Sequence, residues 1–164
     1  MESEGQPTGE VVAGGKRFVV GRAAREDLPA LVALLADDVL GAAREQADPA
    51  PYRRAFTMID EDPHQFLAAV RDADGLLVGT FQLTLIPGLA RGGATRLQVE
   101  AVRLSRSVRG TGLGTALFAW IHDYGRRHGA SLAQLTTDKQ RTDAHRFYEK
   151  LGYAPSHQGY KLML

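Results

Sequence analysis

Cysteine is absent from the 164 residues. That absence excludes disulfides, thiolate metal sites and any mechanism that parks an acyl group on an enzyme thiol. Missing too is any apolar run near the roughly 20 residues that a membrane helix needs, and the first residues are polar where a secretion signal would be apolar. A soluble, cytoplasmic protein with no membrane partner is the expectation. Net charge is nearly absent: twenty Lys and Arg against nineteen Asp and Glu leave +1. The whole-chain average therefore points to no nucleic-acid partner. His64, His122, His128, His145 and His157 show no metal-ligand spacing with one another or with carboxylates, so no metal is expected.

What the chain does hold is 44% hydrophobic residues in a length that suits one compact domain with a continuous core. Its charge is unevenly placed. Between Arg103 and Lys150 nine Lys and Arg stand against four acids, an excess of five positive charges, which leaves the remainder with an excess of four negative ones. A basic region of this kind suits a polyanionic cofactor and an acidic one a cationic substrate, although solvated faces sorted by chance give the same totals.

Residues 1–15 are rich in Gly and Glu and poor in bulky side chains, which predicts a disordered tail before a domain over 16–164. Phe18-Val19-Val20 reads as a short strand. Asp27-Leu28-Pro29 reads as a helix start, and apolar residues at helical spacing carry that helix to about Asp38. Residues from Gly41 to Pro51 read as loop, with a second helix through Tyr52 to Phe56. Phe66–Val70 and Leu76–Ile86 around the Asp74-Gly75 turn form a hairpin. In the next strand, Arg96 to Leu104, Leu97, Val99 and Ala101 share one face while Val102 and Leu104 continue on the other. A slip of one residue predicts a β-bulge, or else a strand buried on both faces.

From Leu113 the period turns helical, with Ala116, Leu117, Trp120, Ile121 and Tyr124 on one face and Gly129 as the stop. A strand at Leu132–Thr136, a helix from about Thr142 to Gly152 and a closing strand at Tyr160–Leu164 complete the order. The fold class that follows is α/β, a single domain with a central mixed, twisted sheet flanked by helices.

Between the bulged strand and the long helix stands Arg109-Gly110-Thr111-Gly112-Leu113-Gly114. Glycines here let backbone N–H groups approach an anion at a helix N-terminus, and Arg109 adds a charge-assisted donor; a plain helix start that uses glycine for its turn is the alternative. A P-loop is excluded because no lysine follows the glycines. A dinucleotide fingerprint would need glycine where Thr115 stands, and only about fifty residues remain for further strand-helix units, although Asp138 lies near where a ribose-binding acid would fall.

The same six residues resemble the Gln/Arg-x-x-Gly-x-Gly/Ala motif of the GCN5-related N-acetyltransferases (GNAT). A second stretch, Ala144-His145-Arg146-Phe147-Tyr148-Glu149-Lys150-Leu151-Gly152-Tyr153, resembles the later helix of that family. The likeness is specific from about Glu100 to Tyr153 and loose upstream. It implies a GNAT-like domain whose bulged strand precedes the cofactor loop, and direct transfer of acetyl from acetyl-CoA, as co-substrate, to an amine with no acyl-enzyme. Arg109, Gly110, Thr111, Gly112, Leu113, Gly114 and Thr115 would then hold the pyrophosphate. Backbone groups of Val102, Arg103 and Leu104 would meet the pantetheine arm and the thioester oxygen.

By the same resemblance Tyr148 is the general acid beside the thioester sulfur, and Glu100 matches a carboxylate that some members use as base. Met for the first time without it, Tyr148 reads as a core aromatic and Glu100 as an ordinary strand carboxylate. Many members carry asparagine where Arg141 stands, so Arg141 is assigned to a cofactor phosphate instead. The acceptor, a small-molecule or protein amine, would be shaped by 41–62 and 155–164. Glu45, Asp48, Asp60, Glu61 and Asp62 hint at a cationic acceptor or simply at an exposed acidic loop. A non-catalytic acyl-CoA-binding module is the alternative function, and the resemblance is compatible with a homodimer.

Overall fold

A computed structural model describes residues 9–164. Residues 1–8, expected to belong to a disordered tail, lie outside the described residues. The rest of that expected tail is ordered: Gly9–Ala13 forms strand β1 and pairs antiparallel with β2 (Lys16–Arg22). The composition of 9–13 misled because its order comes from elsewhere. Val11 and Ala13 gain burial from the core they join, which offsets the entropy of ordering so short a segment.

A 3-10 turn (Arg25–Asp27) leads into α1 (Leu28–Ala36), followed by α2 (Val39–Arg44) and α3 (Ala50–Glu61). Asp27 closes the turn, accepting a hydrogen bond from the Ala24 N–H at 2.9 Å, rather than capping α1. The α2 helix corrects the loop expected from Gly41 onward. Gly41 disfavours a helix on propensity, but the Asp38 carboxylate accepts its N–H and so caps the new start.

Strands β3 (Gln65–Arg71) and β4 (Leu77–Pro87) form the expected hairpin, and one short turn labelled α4 (Ala90–Gly93) leads to β5 (Thr95–Leu104). A 3-10 turn at Arg106–Val108 precedes the long α5 (Leu113–Arg127), then β6 (Ala130–Leu135) and α6 (Thr142–Lys150) follow. All six strands lie in one sheet in sequence order. Neighbours are antiparallel except β5 and β6, which run parallel, as the α5 crossover between them requires. Tyr160–Leu164, expected as a closing strand, forms none and lies exposed. Alternating apolar residues favour a strand only where a partner edge takes them up.

Period-two alternation sorts the side chains into two layers. Phe66, Ala68 and Val70 of β3, with Phe81 and Leu83 of β4 and Leu97 and Val99 of β5, pack under Leu113, Leu117, Phe118, Ile121 and Tyr124 of α5. Rings of Phe66, Phe81, Trp120 and Tyr124 meet at centroid distances of 5.3 to 6.4 Å. Leu67 and Ala69 face the other way, toward Leu31 of α1 and Phe56 of α3 in a smaller second cluster. Among the described residues no helix is long and apolar enough to cross a membrane.

Candidate active site

The slip in the pattern of β5 is a bulge. Gln82 pairs with Glu100 and Thr80 with Arg103, so Phe81 of β4 faces both Ala101 and Val102. Ala101 takes the left-handed conformation, φ 53°, a cost borne by a residue that carries a Cβ. The extra residue turns Val102 and Leu104 onto the α5 face, where both pack against the main core.

Just before the bulge, β5 also parts from β6. Their pairing runs from Thr95–Ala130 to Val99–Leu135 and stops there. Beyond Val99 the edge of β5 that faced β6 has no ladder partner, so backbone groups between Glu100 and Leu104 are left for another occupant. The Arg103 guanidinium donates to the Val102 carbonyl at 2.9 Å and Arg109 Nε to the Leu104 carbonyl at 3.2 Å, which leaves the N–H groups of that edge unused by these side chains.

The glycine run lies at the mouth of this split. Gly110 and Gly112 have φ of 75° and 84° and open space where a Cβ would stand. Glycine is needed there for the backbone turn itself. Gly114 has a different reason: a Cβ on it would stand 3.3 Å from the Phe147 ring, so its bareness lets α6 pack close to α5. The Thr111 hydroxyl donates to the Val108 carbonyl at 2.6 Å and holds the turn. No side chain caps the start of α5, so the first N–H groups of a fifteen-residue helix remain free to receive an anion.

Tyr148 sits on α6 against Phe118, Phe147 and Tyr153, with ring centroids 5.4 to 6.0 Å away. Burial raises its hydroxyl above the ordinary tyrosine value, partly offset by the positive charges of Arg103 and Arg141. It therefore stays protonated at neutral pH. Tyr153 is fixed in turn by His122, whose Nε2 lies 2.8 Å from the Tyr153 hydroxyl. Tyr148 is thus both the core aromatic of the plain reading and a half-buried hydroxyl near two arginines.

A model of the Acetyltransferase (GNAT) family matches residues 28–153. The chain belongs to the GNAT family. The solved chain described as a transcriptional regulator from Bacillus halodurans C-125 is 40% identical, with a TM-score of 0.84 over 90% of this chain and 99% of that one. A putative acetyltransferase from Agrobacterium tumefaciens shares the fold at a TM-score of 0.76 and 21% identity, covering 88% of this chain and 99% of that one. An aminoalkylphosphonate N-acetyltransferase from Salmonella typhimurium is 38% identical over 60 residues, 37% of this chain and 39% of that relative. The chain therefore matches about two fifths of the length of that curated relative.

In this GNAT chain the opposite face of the sheet carries a smaller buried cluster. A cavity of about 170 Å³ opens between α1, α3 and the sheet, lined by Leu31, Leu35, Tyr52, Phe56, Gln82 and Ala101 among others. Gln82 pairs directly with Glu100, and residues paired in this way share a face. Exposed Glu100 therefore shares the face of Gln82, which lines this cavity. None of the acids expected to greet a cationic acceptor lines the cavity, although Glu45 is bonded to Tyr52, which does. Glu45 accepts from the Tyr52 hydroxyl at 2.6 Å, Asp48 from the Ala50 N–H, and Asp62 from the His64 N–H, while Asp60 faces Arg22 at 3.7 Å.

Sequence reasoning missed the ion pairs that join the two sides. Asp37, at the end of α1, reaches Arg106 at 3.2 Å and Arg109 at 3.6 Å. Asp38 reaches Arg141 at 2.6 Å and Arg103 at 3.7 Å. Arg141, assigned to a cofactor phosphate, is therefore engaged with the α1–α2 junction. Only the helix-capping role of Asp38 had a local signal, its place three residues before Gly41.

Proposed function

We propose that the chain is an N-acetyltransferase that moves acetyl directly from acetyl-CoA to a primary amine of a small molecule or a protein. The observation that carries this is the place where β5 and β6 part, with the glycine turn at its mouth, Tyr148 behind it and Glu100 on the acceptor face. Pyrophosphate would lie on the N–H groups from Gly110 to Thr115, with Arg109 exchanging Asp37 for phosphate. The free edge from Val102 to Leu104 would hold the pantetheine arm and place an N–H donor at the thioester oxygen, where negative charge develops.

Glu100, directly or through water, takes a proton from the ammonium so that the amine attacks the thioester carbon. The tetrahedral intermediate loses its second nitrogen proton as it collapses, the C–S bond breaks, and the thiolate leaves toward the Tyr148 hydroxyl and takes up that proton to give CoA thiol. A phenol raised above about 10 is a weaker acid than a thiol near 8.5. Tyr148 therefore stabilises the thiolate by hydrogen bonding at least as much as by full proton transfer. The name of the Salmonella typhimurium relative supports the small-molecule arm of the acceptor class.

The test is release of CoA thiol from acetyl-CoA across a panel of amines, run beside Tyr148→Phe. Release with an amine, and its loss in the variant, are expected. Tight CoA binding with no release across the panel would instead identify a non-catalytic acyl-CoA-binding module.

A further inference from the structure

On the acceptor face, three guanidiniums gather from distant parts of the chain. Arg44 ends α2, Arg103 follows the bulge of β5, and Arg141 precedes α6. Two carboxylates answer them. Asp38 takes Arg141 at 2.6 Å, and Asp138 takes Arg44 at 3.0 Å. Burial alone would raise the Asp38 carboxyl, but the Gly41 N–H and the Arg141 guanidinium outweigh it and hold the group below the usual carboxylate range. Asp38 is thus a committed anion, and one of its oxygens is already taken by Gly41.

Arg103 is the least satisfied of the three, its guanidinium donating to the backbone carbonyl of Val102 at 2.9 Å. Its Nε is buried with no hydrogen-bond partner, 3.7 Å from the Asp38 oxygen that Arg141 already occupies. Its side chain is only 20% exposed, and burial together with the neighbouring charge of Arg141 disfavours its ionised form. A buried donor on a charged group without an acceptor is costly and rarely kept without a function. The positive charge of Arg103 lowers the Tyr148 hydroxyl against the rise that burial causes. Arg103 also pairs across the sheet with Thr80, which lines the cavity, and residues paired in this way share a face.

We infer that Arg103, supported by Arg141, is the site for an anionic head on the acceptor, so that the substrate class is a small primary amine bearing a phosphonate, phosphate or carboxylate. This rests on the N-acetyltransferase reading above and deepens it. An anion at this place accepts from the part-exposed Arg103 guanidinium, relieves the repulsion between Arg103 and Arg141, and leaves the amine end of the molecule free for Glu100. The preference is the reverse of the cationic acceptor suggested by the acids of 45–62.

Binding is measured by calorimetry in the presence of CoA, with 2-aminoethylphosphonate, β-alanine, ethanolamine and ethylenediamine as probes, on the wild type, Arg103→Gln and Arg103→Lys. The two anionic amines are expected to bind about tenfold to a hundredfold more tightly than ethanolamine, the range for a charge-assisted hydrogen bond. Arg103→Gln should collapse that ratio toward one, and Arg103→Lys should restore part of it. Equal binding of ethanolamine or ethylenediamine, or an unchanged ratio in Arg103→Gln, overturns the assignment. So does a variant whose main defect is weaker binding of CoA, since the arginine would then serve the donor. The same amines are then tested for CoA thiol release. A binding preference that persists without any release defeats the proposed function and leaves the anion site standing, whereas release with every amine alike defeats the site alone.

Discussion

The two faces of the sheet are built differently, and each suits its own task. Under α5 the packing is dense, with Phe118, Leu117 and Ile121 fully buried over five strands. Under α1 and α3 the buried apolar cluster is only Ala23, Leu31, Phe56 and Ala69, and a cavity of about 170 Å³ remains. The α5 face holds in place the backbone groups that we propose receive a diphosphate. The other face offers side chains around an unfilled space, which can be changed without disturbing the glycine turn.

The largest effect expected from breaking this comparison is chemical. Tyr148→Phe should lower kcat by about a hundredfold or more, the span of a positioned acid, with KM for acetyl-CoA little changed. Because burial raises the Tyr148 hydroxyl, the alkaline fall in kcat that depends on it belongs above pH 10. A full rate in the variant across pH removes Tyr148 from the chemistry.

Next come the two aromatic anchors. Phe118→Ala, on the dense face, should cost about 3–5 kcal/mol in urea unfolding, whereas Phe56→Ala should stay near the low end, about 3 kcal/mol, because a cavity already adjoins it. Phe56→Ala should raise acceptor KM as well. Equal losses, with acceptor KM unmoved, would remove the distinction between the faces.

A smaller effect separates two glycines of one motif. Gly112→Ala forces a side chain into φ 84° and should cost about 1–2 kcal/mol and weaken acetyl-CoA binding. Gly114→Ala meets only the Phe147 ring edge and should cost less, with a shift of α6 as its main result.

The mildest probe is alkaline pH. Burial raises Tyr153 to about 12 and also raises Tyr148 and Tyr124. The folded state therefore holds these protons more tightly than the unfolded chain. Their contribution is complete below about pH 10 and is lost as pH climbs through about 12. Stability should be level from pH 8 to 10 and fall beyond it, and Tyr153→Phe should flatten part of that fall.

Much of the donor side was readable in the chain because its elements are local. The face of α5, its stop at Gly129 and the phase slip at Ala101 are patterns within a few residues of one another. Errors arose where order comes from distant partners. Residues 9–13 looked too poor to fold until β2 and α5 covered them, and Gly41 hid α2. Tyr160–Leu164 had the alternation of a strand and found no edge.

By itself the sequence determined the positive-φ glycines at 110 and 112 and the helix that begins behind them, while the phase slip in β5 became a bulge only through its pairing with β4. The first two depend on which residues tolerate a local conformation. Only the tertiary structure decided that Gly114 is bare for Phe147, that Asp37 and Asp38 bind arginines sixty to a hundred positions away, and that Arg103 is left with an unmet donor. Charges placed far apart along the chain carry no mark of their partners, because pairing is settled by which elements the packed core brings together.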